Sequence, residues 1–164
     1  MQFVPLSESD TDAILDVFNY FVEHSYAAYY SKKVGPEFPQ RLLSIAARYP
    51  VLTVKDDTGV VVGFGLLHPY HPGDSLDKTA EVTYFLRPEC TNRGIGSKLL
   101  AELTEHARRL GVRTLLANIS SLNDQSLSFH RKHGFEEVAR LPAIGEKFGT
   151  PFDIVYMRKV MSPN

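Results

Sequence analysis

Four residues near the middle of the chain, Arg93-Gly94-Ile95-Gly96, have the types and spacing to hold an anion. They follow an apolar stretch ending at Leu86-Arg87-Pro88, and Ser97-Lys98-Leu99-Leu100 then opens a helical pattern. Strand, glycine turn and helix in that order suit a phosphate. N–H groups that open a helix have no intrahelical acceptor, and the helix dipole adds partial positive charge at the same end. Glycines let a ligand approach the bare backbone. The turn lacks the Lys-Ser/Thr pair of a P-loop, and Leu99 stands at the third glycine position of the dinucleotide fingerprint. Alone it therefore supports only an anion at a helix start, with an ordinary strand-to-helix turn as the competing reading. The other reactive types carry less. Cys90 has no motif beside it to activate a thiolate and reads as a small filler after the turn. His68-x-x-His71 and His130-x-x-His133 are joined by no cysteine or carboxylate at metal-binding spacing, so no metal is expected.

The elements that must position this turn are legible as patterns. Residues 2–6 read as a first strand. Ser7 or Ser9 caps a helix with Asp10 and Asp12 in its first turn, and Ile14, Val17, Phe18, Phe21 and Val22 recur at helical spacing. Ser25 to Pro39 reads as a loop whose Tyr26, Tyr29, Tyr30 and Phe38 can line a pocket. A second helix is expected from about Gln40 to Tyr49. Val51–Lys55 and Val60–Leu67 form a hairpin about Asp56-Asp57-Thr58-Gly59, with Gly63 and Gly65 marking a bulge or close backbone approach. A Pro/Gly-rich loop, His68 to Lys78, leads to a strand over Ala80–Leu86. After the glycine turn come a helix ending at Gly111, a strand over Arg113–Ile119, a short helix over Gln125–Lys132, and two late strands, Phe135–Leu141 and Phe152–Arg158, separated by a Gly-rich connection. The order βααβββαβαββ implies an α+β or α/β domain.

The totals narrow the function classes. A chain of 164 residues fits one domain, 1–164, with a sizeable core. A net charge of −1 gives no reason to expect a nucleic-acid or membrane-surface partner. No apolar run is long enough to span a bilayer, and the first residues, Met1-Gln2-Phe3-Val4-Pro5, do not read as a secretion signal. One cysteine excludes an internal disulfide and fits a reducing, cytoplasmic setting.

A second stretch changes the weight of the first. Asn123-Asp124-Gln125-Ser126-Leu127-Ser128-Phe129-His130-Arg131-Lys132-His133-Gly134-Phe135 follows the next strand. Together the two resemble the GNAT superfamily of N-acetyltransferases. That family's Gln/Arg-x-x-Gly-x-Gly/Ala motif maps onto Thr91 to Gly96, and its asparagine, short helix and Gly-Phe map onto Asn123 to Phe135. Thr91 departs from the usual Gln or Arg. Ala80-Glu81-Val82-Thr83, His130, Gly145-Glu146-Lys147-Phe148-Gly149 and Asp153 narrow the resemblance to the phosphinothricin and methionine-sulfoximine acetyltransferase branch.

The resemblance implies a GNAT fold: a mixed, mostly antiparallel twisted sheet, helices on both faces, and a splay between central strands for the cofactor. It implies acetyl-CoA as donor, a small primary amine as acceptor and a homodimer, for which the segment Ile144 to Asp153, with Phe148 and Phe152 expected exposed, would supply a surface. Backbone groups of Tyr84, Phe85 and Leu86 would face the pantetheine arm. Asn92, Arg93, Gly94, Ile95, Gly96 and Ser97 would hold the pyrophosphate, Asn123 would hydrogen-bond the arm, and Lys132 completes the cofactor-binding set. Direct transfer needs a neutral amine, so a base must take its proton. Glu81 holds that position in the branch, and partial desolvation on a central strand would raise its pKa towards the task. His130 stands where many GNAT enzymes carry a tyrosine as general acid and this branch a histidine, and would protonate the leaving thiolate or orient substrate.

The acceptor is less legible. Phosphinothricin-type enzymes carry an arginine and a tyrosine before the catalytic glutamate, and those positions are Gly73 and Leu76 here. The expectation is poor activity on phosphinothricin, with any acid group held by Lys78, Lys32, Lys33 or Lys147 instead. A protein N-acetyltransferase and a non-catalytic acyl-CoA-binding module are the alternatives. The second has no use for both Glu81 and His130.

Overall fold

The computed structural model describes residues 1–161, and the elements follow the expected order. They are β1 (Gln2–Pro5), α1 (Thr11–His24), α2 (Glu37–Ala46), β2 (Val51–Lys55), β3 (Val61–Pro69), β4 (Thr79–Leu86), α3 (Ile95–Arg109), β5 (Thr114–Ser120), α4 (Asp124–Lys132), β6 (Glu136–Lys147) and β7 (Thr150–Val160). They build a seven-stranded sheet in the order β1-β2-β3-β4-β5-β7-β6. Every pairing is antiparallel except β4 with β5, which α3 connects as a crossover.

The alternation of the strands divides the core in two. Ile14, Val17, Phe18 and Val22 of α1, with Phe38 and Leu42 of α2, bury against Phe64, Leu66 and Phe85 on one face. Phe38 stacks on Phe18 with ring centroids 3.9 Å apart. On the opposite face Leu99, Leu100 and Leu103 of α3 and Leu127 of α4 pack on Leu67, Val82, Leu115 and Met157. Gly63 is a close approach, as expected: a Cβ there would lie 2.5 Å from the carbonyl oxygen of Phe85. Among the described residues, no helix is long and apolar enough to cross a membrane.

Three expectations need correction. The second helix begins at Glu37 rather than Gln40, because Pro39 sits in the first turn, where its missing N–H costs no bond. Phe38 is therefore buried core rather than loop. The late strands are also longer than the pattern suggests. They form one hairpin closed at Phe148-Gly149, where both residues have positive φ, 53° and 72°. Pro142 and Gly145 do not end the strand, because a bulge between Leu141 and Gly145 absorbs them. The Asp153 carboxylate secures that bulge, accepting from Ala143 N at 2.8 Å and Arg140 Nη1 at 3.1 Å. Finally, Phe148 is exposed but Phe152 is buried, since a register shift turns its ring over Gly145.

Candidate active site

Strands β4 and β5 pair only from Thr79–Glu81 to Thr114–Leu116. Beyond Glu81 they part. Thr83, Tyr84, Ala117, Asn118, Ser126 and His130 line the narrow cleft that results. On the α3 and α4 side a groove of about 730 Å³ runs past Tyr84, Phe85 and Leu86 to the start of α3. β4 thus lacks a neighbour along its second half on this side, leaving backbone groups for a ligand arm to pair with.

The glycine turn closes the far end. Gly94 caps α3 in the left-handed region, with φ 75°, and Lys98 N donates to its carbonyl at 3.1 Å. The N–H groups of Ile95, Gly96 and Ser97 precede the first helical bond and have no intrahelical acceptor. Asn92, Gly94, Gly96 and Ser97 border the groove, as do Asn123 and Lys132. The side chains of Arg93 and Ile95 do not, and Ile95 is buried in the core, so its part is confined to the backbone. Thr91 also borders the groove, with its hydroxyl bonded to Pro88 O at 2.7 Å. Asn123 accepts from Ser126 N and so caps α4, a structural duty beside the expected one. Two helix starts and a long groove that reaches a gap in the sheet fit a CoA thioester, diphosphate at α3 and acyl end at the gap.

His130 is not where a free acid would be. It is buried at 3% exposure, and the groove meets Tyr84 but not His130. Its Nδ1 lies 2.7 Å from Ser126 O, which assigns the ring proton to Nδ1. Nε2 then accepts from the Tyr84 hydroxyl at 2.5 Å. Burial pulls the His130 pKa down to about 4, so the ring is neutral near pH 7. Burial also pushes the Tyr84 hydroxyl well above its ordinary value. Tyr84, expected to offer only its backbone, thus also brings a side chain, which bonds His130 and lies edge-on to Phe129 of the groove wall.

Glu81 faces the other way. It sits three residues before Tyr84, and side chains alternate along a strand. It stands opposite His68 of β3, whose Nε2 lies 3.5 Å from Glu81 Oε2. Burial raises the Glu81 carboxyl above the usual carboxylate range, and His68 pulls it partly back. Tyr29 reaches over this face from the loop after α1, donating to Asn118 Oδ1 at 2.9 Å, while Asn118 Nδ2 lies 3.5 Å from the Tyr156 hydroxyl. Glu81 and His130 therefore lie on opposite faces, with the gap between β4 and β5 connecting the two.

Sequence reasoning missed the contact of His68 with Glu81, and missed Asn118 and Tyr156, which cross-strand register brings to the same face. It also gave Lys147 as one of four lysines that could hold the acid group of the acceptor. Lys147 is 5% exposed and its ammonium donates to Ser25 O at 2.6 Å and Ala28 O at 2.7 Å, so it is spent on holding the loop. Cys90 is buried and its thiol pKa is raised, chiefly by burial, which suits the filler reading.

Sheet, gap and helix start define an acyltransferase that works on a CoA thioester. The model of the GNAT acetyltransferase family matches residues 16–135, and the chain belongs to that family. It is an acetyl-CoA-dependent N-acetyltransferase. The chain is 33% identical to the L-methionine sulfoximine/L-methionine sulfone acetyltransferase of Salmonella typhimurium, over 92% of this chain and 89% of that one. A ribosomal-protein-alanine N-acetyltransferase structure from Brucella melitensis superposes with TM-score 0.90 at 32% identity, covering 98% of this chain and all of that one. A phosphinothricin acetyltransferase from Sinorhizobium meliloti, solved with acetyl-CoA, superposes with TM-score 0.92 at 26% identity over 98% and 88% of the two chains.

Proposed function

We propose that this enzyme acetylates the primary amine of a free amino acid or amino-acid analogue, by direct attack within a ternary complex, with Glu81 as the base. Acetyl-CoA supplies the acetyl group as an activated thioester. The observation that carries the reading is the placement of Glu81: a carboxylate with a raised pKa on the last residue of β4 that pairs with β5, at the lip of the gap. The acceptor class draws on the similarity to the Salmonella sulfoximine/sulfone enzyme.

Each group has a definite task. The first-turn N–H groups of α3, with Asn92, Gly94, Gly96 and Ser97, hold the diphosphate. Arg93 and Lys132 supply charge beside it. Backbone groups of Tyr84, Phe85 and Leu86 pair with the pantetheine arm, and Asn123 uses its amide Nδ2 for the same arm. Glu81 takes the amine proton, directly or through one water. Neutral His130 accepts the Tyr84 hydroxyl hydrogen bond at Nε2, so the pair orients the cleft wall beside the cofactor arm, and the leaving thiolate takes its proton from solvent. The enzyme works as a single domain spanning 1–164, in the cytoplasm, as a homodimer.

Thiol release from acetyl-CoA, screened over amino acids, their sulfone and sulfoximine analogues, phosphinothricin and an N-terminal alanine peptide, tests the acceptor class. Phosphinothricin is expected to be poor. Glu81→Gln should lower kcat by ~10²–10⁴ while leaving the affinity for acetyl-CoA unchanged. The wild-type rate should fall as pH drops through the raised Glu81 pKa, because only the carboxylate accepts a proton, and the variant should lose that limb. Weakened acetyl-CoA binding with an intact limb would remove Glu81 from this role.

A further inference from the structure

We propose that Arg158 binds the acid group of the acceptor, so that this enzyme selects amines that carry an anion. The inference rests on the proposed acetylation of an amino-acid-like amine and adds to it the residue that reads the acceptor.

The argument begins with sheet register. His68 of β3 pairs with Glu81 of β4, Glu81 with Leu116 of β5, and Leu116 with Arg158 of β7. Residues opposite one another across strands share a face. His68, Glu81, Leu116 and Arg158 therefore form one row. Tyr156, two residues before Arg158, independently marks the same face. Its hydroxyl lies by Asn118, and the Glu81 charge contributes to raising its pKa, after burial. Two strand spacings put the Arg158 backbone about 10 Å from that of Glu81. A guanidinium extends several ångströms from its backbone, so the space left between it and the Glu81 carboxylate suits an α-amino acid, amine to one side and carboxylate to the other.

Three other cations that could serve are engaged elsewhere. Lys147 is buried on backbone carbonyls. Lys33 is exposed and paired with Glu23 on α1. Lys78 pairs with Asp77, and its ammonium lies near Gly111, at the end of α3. His68 already faces Glu81 and serves the base. Arg158, half exposed, meets Glu136 at 2.5 Å through Nη2 alone. Among the described residues, its Nε and Nη1 have no acceptor, and these are the donors a carboxylate or sulfonyl oxygen would take. Leu116 between the two charged ends gives the floor of the site an apolar contact.

The test is a matched pair of acceptors, L-methionine sulfone and its carboxamide, assayed by thiol release. Arg158→Gln should raise KM for the acid about tenfold, and KM for the amide by less than twofold. Both kcat values and the affinity for acetyl-CoA should hold. Arg158→Lys should recover part of the loss, which separates lost charge from disturbed folding. An equal rise for acid and amide, or no rise for either, overturns the role of Arg158 while leaving acetyl transfer standing. Transfer by the wild-type enzyme to neither compound, nor to any free amine in the wider screen, overturns the proposed function and this inference with it.

Discussion

At the scale of single residues, burial decides what each group can do. Glu81 and His130 are both drawn away from bulk water, and burial favours the neutral form of each: it raises the carboxyl pKa and lowers that of the imidazole. The second effect is measurable as stability. The His130 pKa is about 4 in the folded protein against an ordinary value of 6.5. Between these values the unfolded chain binds a proton that the folded one does not. Stability is therefore complete above pH 6.5 and declines as pH falls towards 4, by about 3 kcal/mol from this group. Urea melts from pH 7.5 to 4 should show that slope, and His130→Gln should flatten it. A variant with the same slope as wild type would contradict the burial argument. The sequence named both residues, but not the hydroxyl of Tyr84 that bonds His130. Which side of β4 Tyr84 presents to α4 depends on how helix and sheet pack.

Among the elements, the loop after α1 is the part that local pattern left loosest. Its aromatics were legible as pocket walls, and Tyr26 does border the groove while Tyr29 crosses to Asn118. What holds it is distant in sequence: the Lys147 ammonium from β6 bridges Ser25 O and Ala28 O. Lysine at low exposure survives because carbonyls accept its hydrogen bonds. Lys147→Met keeps the apolar stem but leaves those carbonyls unpaired. It should cost roughly 1–3 kcal/mol and lower Tm by roughly 3–10 °C, and it should raise protease cutting between Ser25 and Tyr30. Unchanged Tm and cutting would make the bridge incidental. The same β6–β7 hairpin was the least legible element. Pro142 and Gly145 are strand breakers locally, and only pairing with β7 shows them to be a bulge.

For the molecule as a whole, the hairpin also leaves apolar surface unspent. Ile144 and Phe148 are more than half exposed, at 59% and 56%, and lie on the outer strand and its turn. Burying them is the reason to expect a homodimer. Light scattering after gel filtration should give about twice the chain mass of 18.4 kDa, and Ile144→Asp should return it to monomer. A monomer at high concentration would set the expectation aside.

The sequence by itself determined the order of elements and the glycine turn that starts α3, because glycine conformation, helix capping and apolar periodicity are properties of neighbouring residues, and two motif stretches carried the resemblance to the family. Tertiary structure decided the chemistry around them. The parting of β4 from β5, the Tyr84–His130 bond, the His68–Glu81 contact and the row from Glu81 to Arg158 all join residues far apart in the chain. Such contacts are set by strand register and by which face each helix covers. A shift of one residue in register would send Arg158 to the opposite face.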